Sequence, residues 1–285
     1  MTAAVEIIEV GPRDGLQNEK HIVKTADKLR LINKLAAGNL SRIEVAACVS
    51  AKKVPQMADA AAVIGGLPKG GGVCYSALVP NHRGLQTALA ADTIGEIAVF
   101  TGASESFVKK NINCTIDESI QTFAPIIAAA KKRGLRVRGY LSTAIVCPYQ
   151  GAVSPSFAAE VAARLFSIGC DEISLADTIG GGKPEDVRKL LRETGKQIPM
   201  SAVAGHFHDT GGAAIDNIAA ALECGVVKID AAIGGLGGCP FAPGAPGNVA
   251  TEKVARFLHR RGITTGIDED KLARAAEFIR AIIGG

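Results

Sequence analysis

The 285-residue chain contains no tryptophan, and aromatic residues make up only 4% of it. So few rings argue against a protein that stacks nucleic-acid bases. No run of about 18 apolar residues is present to cross a bilayer. The N-terminus lacks the basic and apolar stretches of a secretion signal, and Glu6 interrupts the only early apolar run. A soluble, cytoplasmic chain with no membrane and no nucleic-acid partner is therefore expected. The seven cysteines are odd in number, far apart, and include no Cys-x-x-Cys pair. That excludes a zinc knuckle or disulfide framework and fits a reducing compartment. Excess charge of one sign is also lacking, the net being +4. The basic runs Lys131-Lys132-Arg133 and His259-Arg260-Arg261 fall where helices should end, against the negative end of the helix dipole.

What is present is a rich apolar pattern. Hydrophobic residues reach 47% and charged residues only 21%, which supports a large core and argues against disorder. Short β-branched runs recur at Val5–Val10, Arg42–Ala47, Gly72–Val79, Ile94–Phe100, Leu135–Leu141, Asp171–Ala176, Ser201–His208 and Val226–Ile233. Helical periodicity lies between them, as in Ala26–Ala37, Ile116–Arg133, Pro155–Ile168, Pro184–Thr194 and Ala213–Cys224. Pro155 and Pro184 suit first helical turns, and Gly38, Gly134, Gly169 and Gly225 suit helix stops. Eight such units predict an α/β fold, a (β/α)8 TIM barrel. A doubly wound open sheet would want a nucleotide fingerprint after its first strand, and Gly11-Pro12-Arg13-Asp14-Gly15 is not one. Helices near Val249–Arg261 and Glu269–Ile283 follow the eighth strand, the last being an additional C-terminal cap or oligomer contact. No linker or low-complexity segment appears, so residues 1–285 read as a single domain.

Barrel enzymes collect their chemistry where strands end at the C-terminal face. The first strand ends in Arg13-Asp14, an adjacent cation and carboxylate on a tight turn; a surface ion pair is the competing reading. In Gly205-His206-Phe207-His208, strand alternation puts both imidazoles on one face. Side by side they can ligate a divalent cation, or they are hydrogen-bonded core histidines. The Gly/Pro-rich segment Gly234–Asn248 reads as a lid. It carries Cys239, a thiol able to act as acid or base. Asn248 offers a carbonyl oxygen to a hard cation or an N-cap to the next helix. Glu44, inside the second strand, needs a partner because a buried acid is costly. Arg13 on the neighbouring strand is that partner, and Glu44 either orients it or takes part in catalysis. Asp177 closes the sixth strand. Asp14, His206, His208 and Asn248 together make a mixed nitrogen and oxygen set that suits Mg2+, Mn2+ or Co2+ better than structural zinc.

Val5–Lys20 (VEIIEVGPRDGLQNEK) resembles the opening signature of the 3-hydroxy-3-methylglutaryl-CoA lyases, and the likeness continues through Ser104–Ser119, His206–Thr210 and Gly234–Glu252. It covers essentially the whole chain, and the segment around Cys239 is highly specific. The resemblance implies a divalent-metal-dependent carbon–carbon lyase acting on a small-molecule acyl-CoA, with a homodimer as the assembly. It implies Asp14, His206, His208 and Asn248 as metal ligands, Arg13 as the group that stabilises the leaving enolate, and Cys239 as a proton carrier. Glu44 and Asp177 would support the site; the residues themselves leave the base open between His206, if ligation frees it, and Asp177. Gln17, Tyr140, Ser174 and Glu252 stand at family positions near the substrate. Lys109, Lys110, Asn111 and Asn113 either meet the CoA phosphates or form a solvated loop. Cys48, Ala51, Lys53 and Gly211 depart from the family pattern, but none removes a ligand or an acid. The rival readings are a sister lyase for another 3-hydroxy-3-methyl acyl-CoA, a condensing synthase, and a barrel without chemistry.

Overall fold

Val, Ile and Ala fill the strand segments of the computed structural model, which describes residues 4–237 and 247–284. The strands are β1 (Glu6–Glu9), β2 (Arg42–Ala47), β3 (Cys74–Leu78), β4 (Ile94–Gly102), β5 (Arg136–Ser142), β6 (Val146–Cys147), β7 (Gly151–Ala152), β8 (Glu172–Asp177), β9 (Val203–Phe207) and β10 (Lys228–Ala231). Eight of them close into a barrel in the order β1-β10-β9-β8-β5-β4-β3-β2, while β6 and β7 form a separate antiparallel pair. The predicted TIM barrel is the observed fold. Every residue of β2, β8 and β9 is buried, because a parallel strand covered on both faces meets no solvent.

The helices are α1 (Thr25–Ala37), α2 (Ala60–Gly65), α3 (His82–Leu89), α4 (Glu105–Ile112), α5 (Ile116–Lys132), α6 (Pro155–Ser167), α7 (Pro184–Gly195), α8 (Ala214–Glu223), α9 (Thr251–Arg260) and α10 (Glu269–Ile283). Pro155 and Pro184 open α6 and α7 as expected. Gly134 follows α5 with φ +74°, a left-handed stop that leaves its helix by the usual glycine route. Gly38 ends α1 differently: its own φ is −78°, and Asn39 takes the left-handed turn. Lys131-Lys132 and His259-Arg260 occupy last helical turns. Among the described residues no helix is long and apolar enough to cross a membrane.

The chain divides into two compact units, Met1–Ile97 with Asp230–Gly285, and Ala98–Ile229. Each unit buries ion pairs where strands begin. In the first, Arg42 opens β2 and lies 2.6 Å from Glu96 and 3.1 Å from Glu6. In the second, Glu172 opens β8, with Arg138 at 3.0 Å and Lys228 at 2.8 Å. Charge at the N-terminal face of a barrel serves stability, so these residues are structural.

Glu9, the last residue of β1, is fully buried in the first unit. It accepts hydrogen bonds from the backbone N–H of Gly11 and of Ile233, each at 2.8 Å, and from the Thr251 hydroxyl at 2.7 Å. One carboxyl group thus joins the end of β1, the segment after β10 and the first turn of α9. Burial pushes its pKa up to about 7, against the lowering effect of Thr251 and the two backbone donors. The folded protein therefore holds this proton more tightly than the unfolded chain. Its contribution to stability is complete below the ordinary value near 4.5 and is lost as pH rises through about 7. We expect Glu9→Gln to abolish this loss, so that between pH 5 and 8 the wild-type denaturation midpoint falls relative to the variant's. Parallel curves for the two proteins would contradict the assignment.

Candidate functional site

The first unit contributes a chain of charged and polar groups at the end of β1. Gly11–Gly15 forms one turn of π-helix in which Val10 O accepts from Arg13 N at 3.2 Å and from Gly15 N at 3.1 Å. Pro12 costs this turn no hydrogen bond because it sits in the first positions. The turn presents Arg13 and Asp14 together. Arg13 Nε and Nη2 each lie 2.6 Å from Glu44 Oε2, and Arg13 Nη1 lies 2.7 Å from Asp14 Oδ1. The side chain of Arg13 is 7% exposed, that of Glu44 0%, and that of Asp14 24%. Arg13 and Glu44 pair as the sequence predicted, and the Arg13–Asp14 pair is partly buried rather than a pair on the open surface.

Asp14 Oδ2 accepts from Asn248 Nδ2 at 2.8 Å. The competing N-cap reading of Asn248 fails. Helix α9 starts at Thr251 after Ala250, and the Asn248 amide instead reaches Asp14 and the Leu236 carbonyl. Two glycines permit this approach: a Cβ on Gly237 (φ +94°) would lie 2.8 Å from Asn248 Nδ2, and one on Gly15 would lie 2.7 Å from Leu236 Cβ. With Arg13 balanced by one of its two carboxylates, the cluster keeps one net negative charge, carried at its exposed end by Asp14. Such a cluster attracts a cation.

The second unit contributes the imidazoles. His206 lies in β9 and His208 just past its end, with ring centroids 5.4 Å apart, and both are buried. Tyr140 of β5 meets His206 edge-on at 6.2 Å and receives a hydrogen bond from Arg138 at 3.3 Å. Ser174 of β8 is buried and stands in register with Tyr140. Asp177 ends β8; its Oδ1 accepts from Gly181 N at 3.1 Å and its Oδ2 from Gly182 N at 2.9 Å. Burial raises the Asp177 pKa, opposed by those two amides and by the charge of His206.

Asp14 in the first unit offers a carboxylate oxygen, and His206 and His208 in the second each offer a ring nitrogen. These are the donor types a divalent cation takes, and Asn248 adds an amide beside Asp14. The donor set fits a divalent metal.

Other predicted residues fall outside this cluster or outside the described residues. Gln17 follows the π-helical turn and is half-buried. Glu252 accepts from Gly234 N at 2.9 Å and from Arg280 at 2.8 Å, which makes it a brace for the segment after β10. On and after α4, Lys110 lies 3.7 Å from the Tyr149 ring centroid, Asn111 donates to the Phe107 carbonyl and Asn113 takes a left-handed cap, while Lys109 is exposed. Cys239 lies outside the described residues. Glu9 was not singled out from the sequence; an acid in an apolar strand marks the position, but its partners Ile233 and Thr251 lie far along the chain.

Comparison with known proteins bears on the family of the whole chain. The HMGL-like family model matches residues 4–279. Hydroxymethylglutaryl-CoA lyase of Pseudomonas mevalonii is 49% identical over 99% of this chain and 93% of its own length. A 3-hydroxy-3-isohexenylglutaryl-CoA/hydroxy-methylglutaryl-CoA lyase of Pseudomonas aeruginosa is 47% identical over 98% of this chain and 93% of its own. The crystal structure of the HMG-CoA lyase from Brucella melitensis superposes with a TM-score of 0.97 at 51% identity, covering 99% of both chains. With the family model spanning nearly the whole chain and the barrel matching end to end, this protein belongs to the HMGL-like family.

Proposed function

We propose that this chain is a divalent-metal-dependent lyase that cleaves 3-hydroxy-3-methylglutaryl-CoA to acetyl-CoA and acetoacetate. The observation that carries the reading is the buried Arg13–Glu44 pair that presents Asp14 beside Asn248, and the donor chemistry of Asp14, His206 and His208 supports it. The relatives at 47–51% identity that bear this activity in their names support it.

In this reading Asp14, His206, His208 and Asn248 hold Mg2+ or Mn2+. When bound, such an ion supplies Lewis acidity and orients an oxygen-rich substrate. Asp177 accepts the proton of the tertiary hydroxyl, since a carboxylate raised by burial is a better base at neutral pH than an ordinary one. The hydroxyl-bearing carbon becomes the ketone of acetoacetate as its bond to the thioester α-carbon breaks, and that bond's electron pair passes into the thioester enolate. Arg13 meets the negative charge growing on the thioester oxygen, and Glu44 keeps the guanidinium fixed so that no reorganisation is needed at that moment. Cys239 gives its proton to the α-carbon, which completes acetyl-CoA. Gln17, Tyr140 and Ser174 contact the substrate. One catalytic barrel domain spanning residues 1–285, working as a homodimer in the cytoplasm, completes the proposal. The free thiols of the described cysteines suit that compartment.

A second reading concerns the acyl group. The Pseudomonas aeruginosa relative is named for a longer, isohexenyl substrate as well, so a larger 3-hydroxy acyl-CoA is the specific alternative.

Protein stripped with EDTA should form no acetoacetate from 3-hydroxy-3-methylglutaryl-CoA until Mg2+ or Mn2+ is restored. Turnover without any ion would sink the metal reading. Turnover confined to the isohexenyl substrate would favour the alternative. Cys239→Ser should bind Mn2+ as the parent does but turn over about a hundredfold or more slowly, the usual scale for losing a positioned proton donor. A variant of undiminished kcat would remove Cys239 from the chemistry.

A further inference from the structure

Asn217 sits on the face of α8 that carries Ala214, Ile218 and Ala221 into the core, and it is fully buried. Its Nδ2 donates to the Gly182 carbonyl at 3.0 Å, and its Oδ1 has no hydrogen-bond partner among the described residues. A buried amide with one orphaned oxygen is a poor choice for packing, since an apolar side chain of similar size would cost less there. The single bond it does make is therefore the property to explain.

That bond lands on the turn that grips Asp177. The two carboxylate oxygens of Asp177 take one backbone N–H each, from Gly181 and Gly182. Three consecutive glycines have wide conformational freedom, so their amides converge on a carboxylate only if the turn is held from outside. The room is tight as well. Gly180 has φ +61°, and a Cβ there would lie 2.8 Å from the His208 carbonyl; a Cβ on Gly182 would lie 3.0 Å from Asp177 Oδ2 and 2.9 Å from Ile145 Cδ1. Anchoring the Gly182 carbonyl to a rigid helix fixes the peptide planes on either side of that residue.

We propose that Asn217 is a positioning residue for the reaction: through the Gly182 carbonyl it holds the glycine turn whose amides orient the Asp177 carboxylate. The inference rests on the reading above that Asp177 receives the substrate proton. It is tested on the full-length, Mg2+-loaded enzyme with Asn217→Ala, Asp177→Asn and the double variant, following kcat and KM for acetoacetate formation, Mn2+ affinity and thermal unfolding. Asn217→Ala should lower kcat about tenfold to a hundredfold, the range seen for groups that orient a functional side chain. KM and Mn2+ affinity should stay at the parent's values, and the substitution should cost nothing further in the Asp177→Asn background. Gly182→Ala, which crowds the same carboxylate from the turn itself, should give the same kcat-only loss, and it carries the comparison if Asn217→Ala does not fold. Losses that multiply in the double variant, or an Mn2+ affinity that falls along with kcat, would overturn the proposal in favour of a general structural role. An Asp177→Asn enzyme with the parent's kcat would show that the reading of Asp177 had failed, and the positioning role would fall with it.

Discussion

The Arg13 guanidinium, held between the buried carboxylate of Glu44 and the partly exposed one of Asp14, is the interaction on which the rest of the site depends. Burying such a pair adds little net stability, because desolvation offsets much of the attraction. Removing one partner costs about 3–5 kcal/mol, because the other charge is then left alone. The arrangement is therefore better explained by what it presents than by what it stabilises. It delivers a fixed positive group and, one residue further, a carboxylate already bonded to Asn248. A carboxylate and a guanidinium are thus set side by side by a single turn of backbone.

The barrel sorts its buried charges by the end of the strand they occupy. Arg42 and Glu172 open their strands and are neutralised there, by Glu96 and Glu6 in one unit and by Arg138 and Lys228 in the other. Asp177, His206 and His208 stand at the opposite ends. Glu9 plays a supporting part within the first unit. Its carboxyl gathers Gly11, Ile233 and Thr251, so the Arg13 turn and the backbone leading to Asn248 keep one spacing. Close contacts at Gly15 and Gly237 then seat the amide against Asp14.

Much of this was legible in the sequence, for reasons that can be named. Buried parallel strands are continuous apolar runs, so all eight could be read, with ends off by a residue or two as at Lys228–Ala231. The two-residue period placed His206 and His208 on one face, and the neighbourhood of the first two strands paired Arg13 with Glu44. The β6–β7 hairpin was invisible because two-residue strands carry no period. The six- and eight-residue helices α2, α3 and α4 are near that limit too. Asn248 could be read two ways until α9 was seen to start at Thr251. Glu9 and Asn217 were missed because their partners lie far along the chain or are backbone atoms, which leave no pattern in a sequence. For Asn217 the one available signal was a polar residue on the apolar stripe of α8. Cys239 lies outside the described residues, and its proposed role stands on the family resemblance.

The central claim is that Glu44 acts by holding Arg13 for the chemistry rather than by stabilising the fold or the metal. The most direct measurement is kcat for 3-hydroxy-3-methylglutaryl-CoA cleavage by Glu44→Gln, taken beside its Mn2+ affinity. Loss of activity by about two orders of magnitude, the scale of one preorganised charge, with Mn2+ still bound, is the result this account predicts. A Glu44→Gln enzyme of parental kcat would contradict it.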